Sequence, residues 1–201
     1  DRPFPATICA SLNDELVHGI PRKNVILKDG DIFSIDIGMR WPARDGVFTD
    51  TALTLPIGNI PEKTRKLLEV TRKSLEKGLA AVKPGNSIAS VGRAVESYVK
   101  SEGKYGVVRD LVGHGVGHAV HEEPFIPNYY DKNLESMKFE PGMVVAIEPM
   151  IALGDWRVET KSDGWTIRMA DSSMSAHFEH TAVVTEDGNI IVTRRPHEQI
   201  I

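Results

Sequence analysis

The chain has little cysteine, few aromatic residues and no excess of positive charge. Cys9 is its one cysteine, so no disulfide can form within it, and a reducing, cytoplasmic setting fits that count. No apolar run approaches the roughly 18 residues needed to cross a bilayer, and no signal peptide is visible, so a membrane is not an expected partner. The net charge of −4 argues against DNA as a partner, because nucleic-acid binders usually carry a basic face. Low-complexity tracts and linker-like stretches are also missing. What remains is 41% apolar and 26% charged over 201 residues. That is the composition of a single globular domain, expected to occupy residues 1–201. The chain opens at Asp1 and not at a methionine, which leaves both a fragment and a natural short form open.

Acids placed inside apolar strands organise the rest of the reading. Residues 31–40 alternate, with Phe33, Ile35, Ile37 and Met39 on one face and Ser34, Asp36 and Gly38 on the other, which predicts a strand with an acid on its more polar face. Residues 49–56 read as a second strand carrying Asp50. Pro42 and the pair Asp45-Gly46 lie between them, so the two strands are expected to pair antiparallel around a loop. Residues 143–150 and 177–185 read as two further strands, carrying Glu148 and Glu179. Between the early and late pairs, Leu68, Leu75, Leu79 and Val82 mark a helix over 61–82 that Pro84-Gly85 ends. A second helix is expected from near Ser87, a candidate N-cap, with Ile88, Val91, Val95 and Val99 on one side.

The run from Gly113 to Pro124 places three histidines (His114, His118 and His121) within eight residues, with glycines beside the first two and Glu122-Glu123 after the third. Glycine lets a backbone pass close to a neighbour, and neutral imidazole is a preferred ligand of transition metals. Any one of Asp36, Asp50, Glu148 and Glu179 is as well explained by a salt bridge or a water-facing edge. Four together with a glycine-flanked His114 are harder to explain so, because converging carboxylates repel unless cations sit between them. Such an oxygen-rich set disfavours a closed thiolate zinc site and suits manganese, ferrous iron or cobalt, with zinc still open.

In these motifs the chain resembles the type I methionine aminopeptidases of the pita-bread metallopeptidase fold. The matching segments are Val17-His18-Gly19-Ile20-Pro21, Gly30-Asp31-Ile32, Ile35-Asp36-Ile37, Thr49-Asp50-Thr51 and His114-Gly115-Val116-Gly117. They continue with His121-Glu122-Glu123-Pro124, Ile147-Glu148-Pro149-Met150, Asp163-Gly164-Trp165-Thr166 and Phe178-Glu179-His180-Thr181. Single elements are weak; the ordered set is specific. The resemblance implies an α+β fold, a curved antiparallel sheet covered by helices in pseudo-twofold halves. Relative to the family pattern, helical material before Cys9 is missing.

The resemblance also implies residue roles. Asp36 would chelate one metal, Asp50 and Glu179 would bridge two, and His114 and Glu148 would complete the second. A hydroxide bridging the metals would be the nucleophile. Glu148 would also carry its proton to the leaving amine, His121 would polarise the scissile carbonyl, and His18 would contact substrate beside it. Cys9, Met150 and Trp165 would wall the pocket for a methionine side chain. The implied cofactors are two divalent ions (cobalt, manganese, iron or zinc), with a monovalent cation near Asn13 and Ser175. The implied substrates are peptides and nascent chains with N-terminal methionine and a small second residue, with the ribosome left open as a partner. His180 should point to the opposite side of its strand, and His118 is assigned no role.

Two departures from the family pattern stand out: a longer loop across residues 37–49, and Val120 where a bulkier aromatic wall is usual. Two other readings compete. An X-Pro aminopeptidase or prolidase would share the five ligands, but the Glu-Glu-Pro after His121 and the Asp163-Gly164-Trp165 segment favour the first reading. A non-catalytic peptide-binding module would be expected to have lost ligands, and here all five positions hold ligating residues.

Overall fold

The computed structural model describes residues 3–196 and 198. Two short strands, β1 (Cys9–Leu12) and β2 (Glu15–Val17), lead into a long hairpin of β3 (Ile32–Trp41) and β4 (Val47–Pro56). Two helices follow, α1 (Glu62–Ala81) and α2 (Ala89–Glu102). The remainder is short strands: β5 (Gly106–Val107), β6 (Gly113–Gly115), β7 (Glu122–Ile126), β8 (Val144–Ile147), β9 (Met150–Ala152), β10 (Val158–Thr160), β11 (Ile167–Met169), β12 (Ser175–His177), β13 (Glu179–Val184) and β14 (Asn189–Ile191). The main sheet runs β1-β3-β4-β13-β8-β6-β7, with β14 also on β13. Two three-stranded sheets, β10-β11-β2 and β12-β9-β5, complete the fold.

α1 begins after Pro61, whose fixed φ suits a helix start and whose missing N–H loses nothing there. Its apolar stripe is buried as expected: Leu68, Leu75 and Leu79, continued by Val82. The α2 stripe of Ile88, Val91, Val95 and Val99 is buried too. Each such side chain contributes roughly 1.5–3 kcal/mol relative to exposure. The helices meet each other and the sheet at Gly78, where an added Cβ would lie 3.0 Å from both Val95 and Ile147. Ile147 therefore faces α1, and so does His180, its cross-strand partner. By strand alternation, Ala146 and Glu179 face the other way. The helices thus cover one face of the sheet around β8 and β13, and the acids stand on the opposite face.

Several sequence expectations need correction. The stretches 143–150 and 177–185 are not continuous strands. Each breaks, at Glu148-Pro149 and at Phe178, and its halves join different sheets. Proline cannot donate to a ladder, which explains the first break. Ser87 does not cap α2: Ile88 holds that position without a side-chain cap, and the Ser87 hydroxyl donates to Glu135 instead. Nor is 37–49 a loop. The β3–β4 ladder continues to Trp41 paired with Val47, leaving residues 42–46 as the connection. The more polar face of β3 is also the more buried one: Ser34 is 4% exposed, while Ile37 and Met39 are 39% and 56% exposed. No helix among the described residues is long and apolar enough to cross a membrane.

Candidate metal centre

Strand register brings the four acids together. In the hairpin, Asp36 pairs with Ala52 and Gly38 with Asp50, so Asp36 and Asp50 are diagonal neighbours on one face. Glu179 on β13 pairs with the same Ala52 from the other side. His114 on β6 pairs with Ala146 on β8, which sets it on the face where Glu148 follows two residues later. Ligand atoms of Asp36, Asp50 and Glu179 all lie within 4.8 Å of one another, as do those of His114, Glu148 and Glu179, and those of Asp50, His114 and His121. The five expected ligands therefore converge.

The glycines beside His114 have a steric cause. A Cβ at Gly113 would come 2.4 Å from the Ala146 carbonyl oxygen, and one at Gly115 would come 2.4 Å from that of Glu123. β6 fits between β7 and β8 only without side chains at those two positions. His121 stands in the loop after β6. The Glu122 carboxylate accepts from Ala119 N–H at 2.6 Å and so closes that loop. The Gly117 carbonyl accepts from Phe48 N–H at 2.7 Å, which ties the loop to the hairpin. The His114 and His121 rings meet edge to face, with centroids 4.4 Å apart. His18 sits just past β2 at φ +55°, a backbone region that non-glycine residues seldom occupy. Burial holds it below the usual histidine range, against the opposing pull of Asp36 and Glu148.

The electrostatics call for positive charge. Burial, then the charges of Asp36 and Glu148, push Asp50 up to about 7 from an ordinary 3.8. Burial and then Asp50 raise Glu179 well above the carboxylate range. Glu179 Oε1 is buried with no hydrogen-bond partner among the described residues. His114 Nδ1 lies 2.9 Å from the Gly115 carbonyl, which can only accept, so Nδ1 carries the proton and Nε2 presents its lone pair. That lone pair lies 3.4 Å from Glu148 Oε1. Two acceptors facing each other, beside an unpartnered carboxylate oxygen, are repulsive with nothing between them and favourable around a divalent cation. The donor set fits a metal.

Two chambers adjoin this centre, and both are lined by His18, Asp36, Asp50 and His121. One, of about 390 Å³, is walled by Phe4, Ile8, Cys9, Val120 and Trp165. Asp163 builds the turn that presents Trp165, accepting from the N–H groups of Trp165 and Thr166 and from the Thr166 hydroxyl. The Trp165 ring meets Phe4 edge to face at 5.4 Å. Cys9 pairs directly with Asp36; burial and that carboxylate push its thiol up, so it stays protonated. Met150 does not join this group. It lines the other chamber, of about 220 Å³, because the break after Glu148 carries it into β9. Cys9 and Trp165 thus line one chamber and Met150 the other, and the two meet at His18, Asp36, Asp50 and His121.

His180 lies on the helix side, with Nδ1 2.9 Å from the Thr193 hydroxyl and Nε2 3.1 Å from Glu198. His118 is exposed. Asn13 and Ser175 are adjacent, the Asn13 carbonyl accepting from Ser175 N–H at 3.0 Å. Three contributors escape the sequence reading. Phe4 is an unremarkable aromatic near the chain start. Asn128 is buried and donates to the Glu148 carbonyl at 3.0 Å. His177 is 1% exposed, with Nε2 3.2 Å from Glu148 Oε2. Burial alone would lower the His177 pKa, but Glu148, Asp36 and Asp50 outweigh it and the net direction is upward. Its two-residue spacing from Glu179 is the one signal that places His177 on the same face.

Known proteins share this arrangement of chain and strands. A model of metallopeptidase family M24 matches residues 1–186. The methionine aminopeptidase of Borreliella burgdorferi is 48% identical over 192 residues, which is 96% of this chain and 74% of that one. Methionine aminopeptidase 1 of Bacillus subtilis is 49% identical, covering 95% and 75%. The crystal structure of methionine aminopeptidase from Thermotoga maritima superposes with a TM-score of 0.88 at 44% identity, covering 94% of this chain and 74% of that one. A curved sheet that gathers four acids and a histidine, in a sequence this close to those enzymes, leaves one assignment: the chain belongs to metallopeptidase family M24 and, within it, to the methionine aminopeptidases.

Proposed function

We propose that this chain removes N-terminal methionine from cytoplasmic peptides and nascent chains whose second residue is small, using two divalent cations held by Asp36, Asp50, His114, Glu148 and Glu179. The observation that carries the reading is the convergence of those five side chains around a buried carboxylate oxygen that has no hydrogen-bond partner among the described residues. Oxygen-rich ligation suits manganese, ferrous iron or cobalt, and zinc is not excluded by the donors. Bound there, the cations would lower the pKa of a water toward neutrality and polarise the substrate carbonyl.

The protein's own residues supply the rest. Glu148 takes the proton that the attacking water gives up. It then returns that proton to the amine nitrogen as the carbon–nitrogen bond breaks, so the leaving group departs neutral. His121, held by the closed loop after β6, donates a hydrogen bond to the carbonyl oxygen as charge builds on it. His18 contacts the substrate beside the scissile bond. The methionine side chain enters the chamber walled by Cys9 and Trp165, with Phe4 and Val120 completing it. A polarisable thioether gains from contact with an aromatic ring edge, and a protonated Cys9 adds no charge to repel it.

The test uses purified protein, added Mn²⁺ or Co²⁺, and two peptides. Release of methionine from a Met-Gly peptide with Ala-Pro left intact is the expected result. The reverse preference would move the chain to X-Pro cleavage, and metal binding without turnover of either would make it a binding module.

A further inference from the structure

Glu148 lies between two imidazoles, one for each carboxylate oxygen. Oε1 lies 3.4 Å from His114 Nε2, and Oε2 lies 3.2 Å from His177 Nε2. The two histidines differ in what their other nitrogens do. His114 Nδ1 is engaged by the Gly115 carbonyl, which turns its lone pair toward Glu148. Both ring nitrogens of His177 are buried and lack a well-aligned hydrogen bond among the described residues. An imidazole that is 1% exposed carries a desolvation cost that some partner must offset, and the acceptor within reach of its Nε2 is Glu148 Oε2. The side chain enters from β12, the strand just before the break at Phe178, and it lines the same chamber as Glu148 and Glu179.

We propose that His177 is a positioning residue for Glu148. Its Nε2–H donates to Oε2 and holds that oxygen away from the centre, leaving Oε1, beside His114, as the oxygen that takes the cation. This rests on the reading of Glu148 as a ligand. A carboxylate free to rotate could offer either oxygen, or both. A donor fixed on one of them selects a single coordination mode. Groups of this kind typically set metal affinity by ~10–100-fold.

The experiment measures Mn²⁺ binding by titration calorimetry on metal-stripped protein, for the parent, His177→Ala, His177→Gln and Glu148→Ala. Glutamine keeps an N–H donor near the same place. His177→Ala is expected to lose ~10–100-fold in affinity, and His177→Gln to recover most of that loss. Should His177→Ala fail to fold by circular dichroism, His177→Leu, closer in volume and without a donor, takes its place. Parent-like binding by the donor-less variant, with binding lost in Glu148→Ala, overturns the positioning role alone. So does a His177→Gln variant as weakened as the donor-less one. Parent-like binding by Glu148→Ala as well overturns the metal-centre reading itself.

Discussion

Asp36 and Glu179 share a cross-strand partner, Ala52, so the two carboxylates lie in one row across β3, β4 and β13 with a methyl group between them. Ala52 is fully buried. Its small side chain keeps the floor of the site low enough for both acids to reach the same point.

Ala52→Leu should therefore damage the site more than the fold. Overpacking of this kind costs about 1–3 kcal/mol, which a melting curve reads. The branched side chain would also separate the acids, so metal content after dialysis should fall well below that of the parent. A variant that melts lower but retains full metal content would contradict this placement of Ala52.

Metal-free protein should lose stability as the pH rises from about 4 toward 7. Asp50 has an ordinary pKa of 3.8 and reaches about 7 in the fold, because burial and the charges of Asp36 and Glu148 disfavour its ionised form. The folded state thus holds a proton that the unfolded chain has released, and stability falls with pH across that window. Asp50→Asn should remove much of the slope and make the metal-free protein more stable at pH 7.5, by on the order of a few kcal/mol, while abolishing metal binding. Urea titrations across pH, with and without Mn²⁺, check both effects.

Glu15 should act in the opposite sense. Burial works to raise its pKa, but the Lys161 ammonium, the Leu12 N–H and the Arg22 guanidinium together hold it below 4.5. Its oxygens lie 2.8 Å from both Arg22 Nη2 and Lys161 Nζ. The stabilisation is present at neutral pH and is lost as the pH falls through and below that range. Because Arg22 and Lys161 are partly exposed, Glu15→Gln should cost only about 1 kcal/mol at pH 7. The cost should shrink as the pH falls below 4.5 in thermal melts.

His121→Ala should keep its metal and lose its rate. Removing one donor to a developing oxyanion typically costs ~100–1000-fold in kcat. Unchanged metal content with that loss supports the role, and a fully active variant would contradict it.

The acids were legible because each interrupts an apolar strand, and a charge there has to be explained. The strand breaks were not, since Val144–Ile147 and Met150–Ala152 are equally apolar and only Pro149 hints at the change of sheet. The chamber that Met150 lines was not legible for the same reason, because a residue's chamber depends on which sheet its strand joins. Alternation along β3 gave the right pairing of faces but not their burial. The apolar set of Ile37 and Met39 is the exposed one, and the face of Ser34 and Asp36 is turned inward toward the site. His177 gave little signal, because a histidine two residues before an acid reads as a strand residue until the fold brings its Nε2 to 3.2 Å from Glu148 Oε2.

The most direct test is a crystal of the protein grown with Mn²⁺, measured for anomalous scattering at the manganese edge. The account predicts two anomalous peaks per chain, both ringed by Asp36, Asp50, His114, Glu148 and Glu179. Peaks elsewhere, or five side chains with no ion among them at saturating Mn²⁺, would contradict it.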